Sequence, residues 1–181
     1  MKYLLLTILC LSIASNACEK AMDPSRITSA GGSVTEIIYF LNSQDSLVAV
    51  DVTSNFPPEA RDLPSIGYVR QLSAEGVLSL DPTIIIGEDD MGPPSVMEQI
   101  KRTNVEIKII PENHSIEGII EKVKCVSNII GKDSNELINK FLSPKIKRLQ
   151  TLADSEKKKK IIYILGMQSG SPLIAGKNTS G

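Results

Sequence analysis

The sequence is poor in the residues that build several common kinds of site. Its 181 residues include one histidine, three cysteines, no tryptophan and only 4% aromatic residues. A single histidine excludes the His-rich ligand sets of zinc enzymes and zinc carriers. There is no basic excess either: 20 Lys+Arg against 21 Asp+Glu give a net charge of −1, so a phosphate-neutralising nucleic-acid face is not expected. No Gly-x-Ser-x-Gly elbow, Walker loop or dinucleotide glycine fingerprint occurs, which weighs against an exported α/β hydrolase or a nucleotide-dependent enzyme. What is present is a chain with 41% hydrophobic and 23% charged residues, a balance that folds around a core and does not stay disordered.

Residues 1–17 read as a signal peptide. Lys2 supplies the positive start, Leu4 to Ile13 form an apolar run too short to span a bilayer, and Ser15-Asn16-Ala17 offer small residues at a cleavage site. Cys18 follows at once, where the acylated cysteine of a lipoprotein stands. Ser15 occupies the position usually held by leucine in that motif, so lipidation of Cys18 stays open. Cys10 leaves with the leader. Cys18 and Cys125 remain, one candidate pair and no disulfide framework; with Cys18 acylated, Cys125 reads as an ordinary buried thiol on an apolar helix face.

The exported part alternates strand and helix. Strands are expected at Arg26–Ala30, Leu47–Val52, Thr83–Gly87 and Glu106–Ile110. Between them, Ser33 and Glu36 suggest a capping box opening a helix whose apolar face is Val34, Ile37, Ile38 and Leu41. Ser73 caps a short helix reaching Leu80. Pro93-Pro94 precede another with Val96, Met97 and Ile100 inward, and Ser115 opens a helix stopped by Gly131. Such alternation gives a mostly parallel sheet covered by helices on both faces. Asp133 to Asp154 form a long helical stretch that Pro144 should kink or split. Lys157–Lys160 read as a solvated loop, Ile161–Leu165 as a strand and Ser171–Ala175 as its hairpin partner.

The expected architecture is therefore α/β: one complete Rossmann-like lobe, a long linker helix, and the start of a second α/β lobe, truncated because two strands cannot bury a sheet face. The expected divisions are a leader (1–17), an N-terminal linker (18–25), the lobe (26–132), an inter-lobe helix (133–156) and the opening of the second lobe (157–181). A single domain with a ragged C-terminal hairpin is the alternative.

The segment Gly67-Tyr68-Val69-Arg70-Gln71-Leu72-Ser73-Ala74-Glu75-Gly76-Val77-Leu78 follows a Pro-rich loop and precedes a helix, where α/β folds place ligand sites. In an extended stretch Tyr68 and Arg70 share a face. A guanidinium beside a phenol favours the phenolate, a hard ligand for ferric iron and one of the axial ligands of haem.

These runs carry a resemblance. Arg26–Ile37, Val50–Ser54, Pro57–Arg61, Leu63–Leu78, Gly92–Pro94 and Pro172–Gly176 are similar to the haemin-binding periplasmic proteins of bacterial haem ABC importers, within the class III substrate-binding superfamily. The resemblance implies an exported, periplasmic, non-enzymatic protein that grips ferric haem b between two lobes and hands it to an inner-membrane ABC permease. Membrane contact would come through that permease or through a lipid on Cys18. It places the iron ligand on Tyr68 and its supporting arginine on Arg70. Some relatives add a histidine at the start of the second lobe; Met167 stands about there, as a soft ligand or as a contact with the porphyrin face. Gly31, Gly32 and Ser33 open a helix N-terminus that suits a propionate, or serve only as a tight strand–helix turn. Glu59 and Glu75 are acidic candidates for docking the permease, and His114 is assigned to the surface or a helix start. A siderophore or cobalamin binder of the same fold is the competing reading.

Overall fold

The computed structural model describes residues 16–155 and 162–174. The apolar run of the leader and the lysine run 157–160 lie outside them.

The all-isoleucine run Ile84-Ile85-Ile86 forms β3 (Ile84–Gly87), and all three isoleucines are fully buried. A strand buried on both faces belongs inside a parallel sheet. β3 pairs in parallel with β1 (Ile27–Ala30) and with β4 (Glu106–Ile109), in registers Ile27↔Ile84 and Ile84↔Glu106. β2 (Leu47–Val50) pairs on the other side of β1, giving the order β2-β1-β3-β4. Beyond β2 a parallel bridge from Val50 to Ser65 extends the edge.

The helices divide between the two faces. α1 (Gly32–Phe40) and α4 (Ile116–Ile129) cover one, burying Val34, Ile38, Val126 and Ile129 against Ile27, Ile84 and Ile86. α2 (Ala74–Leu78) and α3 (Pro94–Ile100) cover the other, where Val77, Met97 and Ile100 pack on Ala30, Ala49 and Ile85. The alternation of α and β segments thus yields the expected doubly covered lobe. Ser73 and Ser115 cap α2 and α4 as anticipated, each accepting the N–H of a glycine three residues on, at 3.2 and 3.0 Å.

The start of α1 differs from the expected capping box. Gly31, at φ 134°, is the N-cap, and its carbonyl accepts from Val34 and Thr35 at 3.1 Å each. Ser33 therefore lies within the first turn, too far in to cap, and its hydroxyl donates to Glu88 instead. Gly31's own N–H is taken by buried Asp51 at 3.1 Å. Asp51 also accepts from Thr53 N–H and from the hydroxyls of Thr53 and Ser54, so this buried carboxylate is held by four hydrogen bonds.

The stretch read as a linker is docked on the lobe. Ala21 N–H donates to Ile129 O at 2.9 Å, and Met22 N–H to Glu106 at 2.8 Å. Cys18 and Cys125 form a disulfide with Cα atoms 4.8 Å apart. Of the two readings left open for these cysteines the structure shows the pair, and a sulfur engaged this way has no valence left for the thioether of a lipid anchor on Cys18.

After α4, Gly131 (φ 70°) turns the chain as expected. The long stretch does not split at Pro144. α5 (Asn135–Leu137) passes through a π-helical turn (Ile138–Leu142) into α6 (Ser143–Ser155). A proline removes one N–H and crowds the carbonyl four residues back, and widening the preceding turn accommodates both. Ile138 and Ile146 of the apolar stripe are buried, while Phe141 and Leu149 stay exposed. β5 (Ile164–Gln168) and β6 (Ser171–Ile174) form a hairpin around Ser169-Gly170, both at positive φ, with the first strand overlapping the expected Ile161–Leu165 only at Ile164 and Leu165. No helix among the described residues is long and apolar enough to cross a membrane.

Candidate functional site

In a doubly wound sheet, the crevice for a ligand opens outside the strand C-termini, where successive connections leave in opposite directions. Here the chain leaves β1 for β2 on one side and later returns to β3 on the other, so that point lies between the ends of β1 and β3. Gly31, Gly32 and Ser33 follow β1, Glu88 to Met91 follow β3, and the loop carrying Tyr68 follows β2. The fold thus gathers Tyr68, Arg70 and the glycine turn, far apart in sequence, onto one edge.

The Tyr68 loop is pinned by its backbone. Gly67 (φ 85°) takes a conformation that favours glycine, and its carbonyl accepts Val52 N–H at 3.0 Å. Val69 and Leu72 are buried in the α2–α3 core. Their backbone is tied to the loop after β3: Gly92 N–H donates to Val69 O at 3.0 Å, and Leu72 N–H to Gly92 O at 2.8 Å. With its neighbours held, Tyr68 stands out 42% exposed, an aromatic ring anchored by backbone and presented to the outside.

Tyr68 is extended, as expected, but Arg70 lies in the tight helical turn Val69–Gln71. Arg70 Nε donates to Asp90 Oδ2 at 2.8 Å. The hydrogen bond and charge of Asp90, with a further contribution from Tyr68, raise the guanidinium above its already high ordinary value. The direct side-chain partner of Arg70 is therefore Asp90. Sequence reasoning did not pick out Asp90, although its place just after a buried strand marked a loop at the ligand edge.

Beside the N-terminus of α1 lies the carboxylate of Glu88. A Cβ on Gly31 would lie 3.4 Å from Glu88 Cδ, and Ser33 donates to Glu88. Lys122 Nζ then bridges Glu88 and Glu112 at 2.6 Å each. These groups line a groove of about 650 Å³ between α1 and α4, whose apolar wall includes Ile37, Phe40 and Ile119. His114 is on the rim, half-exposed, 3.6 Å from Glu112, which fits the role given to it at the start of a helix.

Burial opposes the charge on Lys122, but its hydrogen bonds to Glu112 and Glu88 outweigh that and raise its pKa above the ordinary 10.5. Stability from this group is complete below that ordinary value and is lost as pH rises through the higher folded-state value. Chemical denaturation of wild type should therefore show a declining limb above pH 10.5 that Lys122→Met flattens. An identical alkaline profile in both proteins would contradict the bridge.

Met167 lies on β5 opposite Pro172 and is 68% exposed. Glu59, in the turn Pro58–Asp62, and Glu75, in the first turn of α2, are both exposed.

The chain matches the periplasmic binding protein family over residues 27–181. It is 34% identical to a periplasmic heme-binding protein from Pseudomonas aeruginosa, with a TM-score of 0.75 over 87% of this chain and 58% of that one. Against the periplasmic heme-binding protein HutB of Vibrio cholerae the identity is 33% and the TM-score 0.72, covering 87% and 61%. A vitamin B12-binding protein of Vibrio campbellii is 26% identical over 156 residues, 84% of this chain and 55% of that protein. The chain spans about half the length of the curated relatives it matches.

Proposed function

Because the chain belongs to the periplasmic binding protein family, we propose that it is an exported protein that captures ferric haem for an ABC importer. Haem enters at the edge formed by the strand C-termini, with Tyr68 as the iron ligand and Arg70 as its supporting cation. The single observation that carries this reading is Tyr68 itself: an exposed phenol on a loop fixed by three backbone hydrogen bonds, at the edge where such folds take ligands. A phenolate is a known haem ligand, whereas cobalamin brings its own metal and needs no tyrosine. The likeness to two structures of heme-binding proteins supports the same choice. Delivery to an inner-membrane permease and residence in the periplasm follow from the family as part of the proposal.

The deciding experiment is a titration of the purified chain with ferric haem and, separately, with cobalamin, followed by absorption. Haem should bind with a ligand-to-metal charge-transfer band from iron and phenolate. Saturable cobalamin binding without haem binding would favour the second reading, which the vitamin B12-binding relatives make specific. Within the haem reading, Arg70→Ala should weaken binding less than Tyr68→Ala, since it removes a supporting charge and leaves the metal bond. A titration with the reverse order would overturn that ranking.

A further inference from the structure

We propose that Asp90 is a positioning residue of the ligand site, holding Arg70 by its Nε so that the guanidinium keeps one orientation on the loop that carries Tyr68. The inference rests on the haem reading above.

An arginine on a surface turn has many rotamers, and fixing one costs conformational entropy that the bound state must offset. Asp90 meets that cost before any ligand arrives. Its Oδ2 accepts from Nε at 2.8 Å, a bond that does not use the Nη groups of Arg70. Among the described residues, Asp90 is the acid in ion-pair distance of Arg70, and Asp89 acts on it only at longer range.

The carboxylate is itself well placed. It belongs to the short connection between β3 and α3, whose next residue, Met91, is 6% exposed in the same core as Val69 and Leu72. Gly92 then exchanges hydrogen bonds with those two residues, so the loops of Asp90 and Tyr68 are tied together through their backbone. The ion pair is half-exposed in this structure, and an exposed pair adds little to stability. Its value lies in the site: it restricts where a cation next to the iron ligand points.

The test separates positioning from charge. Asp90→Asn keeps an acceptor for Nε and removes the charge, whereas Asp90→Ala removes both. Asp90→Ala should lower the affinity for ferric haem by on the order of 10-fold, the low end for outer-shell partners of metal sites. Asp90→Asn should stay within about 2-fold of wild type, since Nε keeps its acceptor. The double variant Asp90→Ala/Arg70→Ala should bind no worse than Arg70→Ala, because a residue acting through another gives non-additive losses. The charge-transfer band of Asp90→Ala should shift as that of Arg70→Ala does, a change that loss of stability would not produce.

Additive losses, or equal effects of Asn and Ala, overturn the positioning role while Tyr68→Phe still removes the band. If Tyr68→Phe binds haem like wild type, the haem reading fails and this inference falls with it.

Discussion

Tyr68→Phe should remove the charge-transfer band of the ferric haem complex and weaken binding by at least the ~10–100-fold that even outer-shell partners contribute to metal sites. The substitution deletes one oxygen and keeps the ring, so the packing contribution of the side chain is preserved. The loop is unaffected because its conformation is set by backbone: Val52 N–H on Gly67 O, Gly92 N–H on Val69 O, and Leu72 N–H on Gly92 O. Tyr68's side chain takes no part in those bonds, and the flanking Val69 and Leu72 keep the turn seated in the core. A loss of binding in Tyr68→Phe would therefore report the oxygen alone. Unchanged affinity and an unchanged spectrum would show that the iron is held elsewhere.

Much of this edge was legible before any coordinates. The run Ile84-Ile85-Ile86 required a doubly covered strand, and the i, i+4, i+7 spacing of Val34, Ile38 and Leu41 required a helix facing the core; all six side chains are buried. Tyr68 was singled out by the Gly67–Leu78 run and its resemblance to haemin-binding proteins, and the structure adds that its ring is exposed. Polar pairings across the edge were not legible. Asp90 follows Arg70 by twenty residues, and only the parallel pairing of β1 with β3 brings its loop beside the tyrosine. Ser33 and Glu36 satisfied the spacing of a capping box, yet Gly31 starts the helix earlier, its carbonyl accepting from Val34 and Thr35 while Asp51 takes its N–H. Local patterns gave the elements; contacts between loops depend on which strands become neighbours, and no spacing in the chain encodes that.

The disulfide was legible as the one candidate pair, since Cys10 leaves with the leader, and breaking it should have the largest effect on stability. Cys18 and Cys125 are 107 residues apart, so their bond restricts the unfolded chain over most of the lobe. In the chain-entropy description a closed loop of about 100 residues corresponds to ~4.7 kcal/mol, and native disulfides removed from small exported domains cost about 2–5 kcal/mol. In the folded state the bond fastens the docked N-terminal segment to α4, where Ala21 N–H also meets Ile129 O. Cys18→Ser should therefore lower the free energy of unfolding by about 2–5 kcal/mol. Cys125 is 5% exposed, so Cys125→Ser adds a buried hydroxyl and should lose at least as much. Wild type unfolded in excess reductant should match Cys18→Ser, and reductant should leave that variant's midpoint unchanged. Intact mass gives the chemical check: the disulfide form lacks two hydrogens relative to the reduced chain, whereas a lipid thioether on Cys18 would add its own mass and leave Cys125 titratable as a thiol. A denaturation midpoint that does not respond to reductant would mean that the two sulfurs are not joined in the protein.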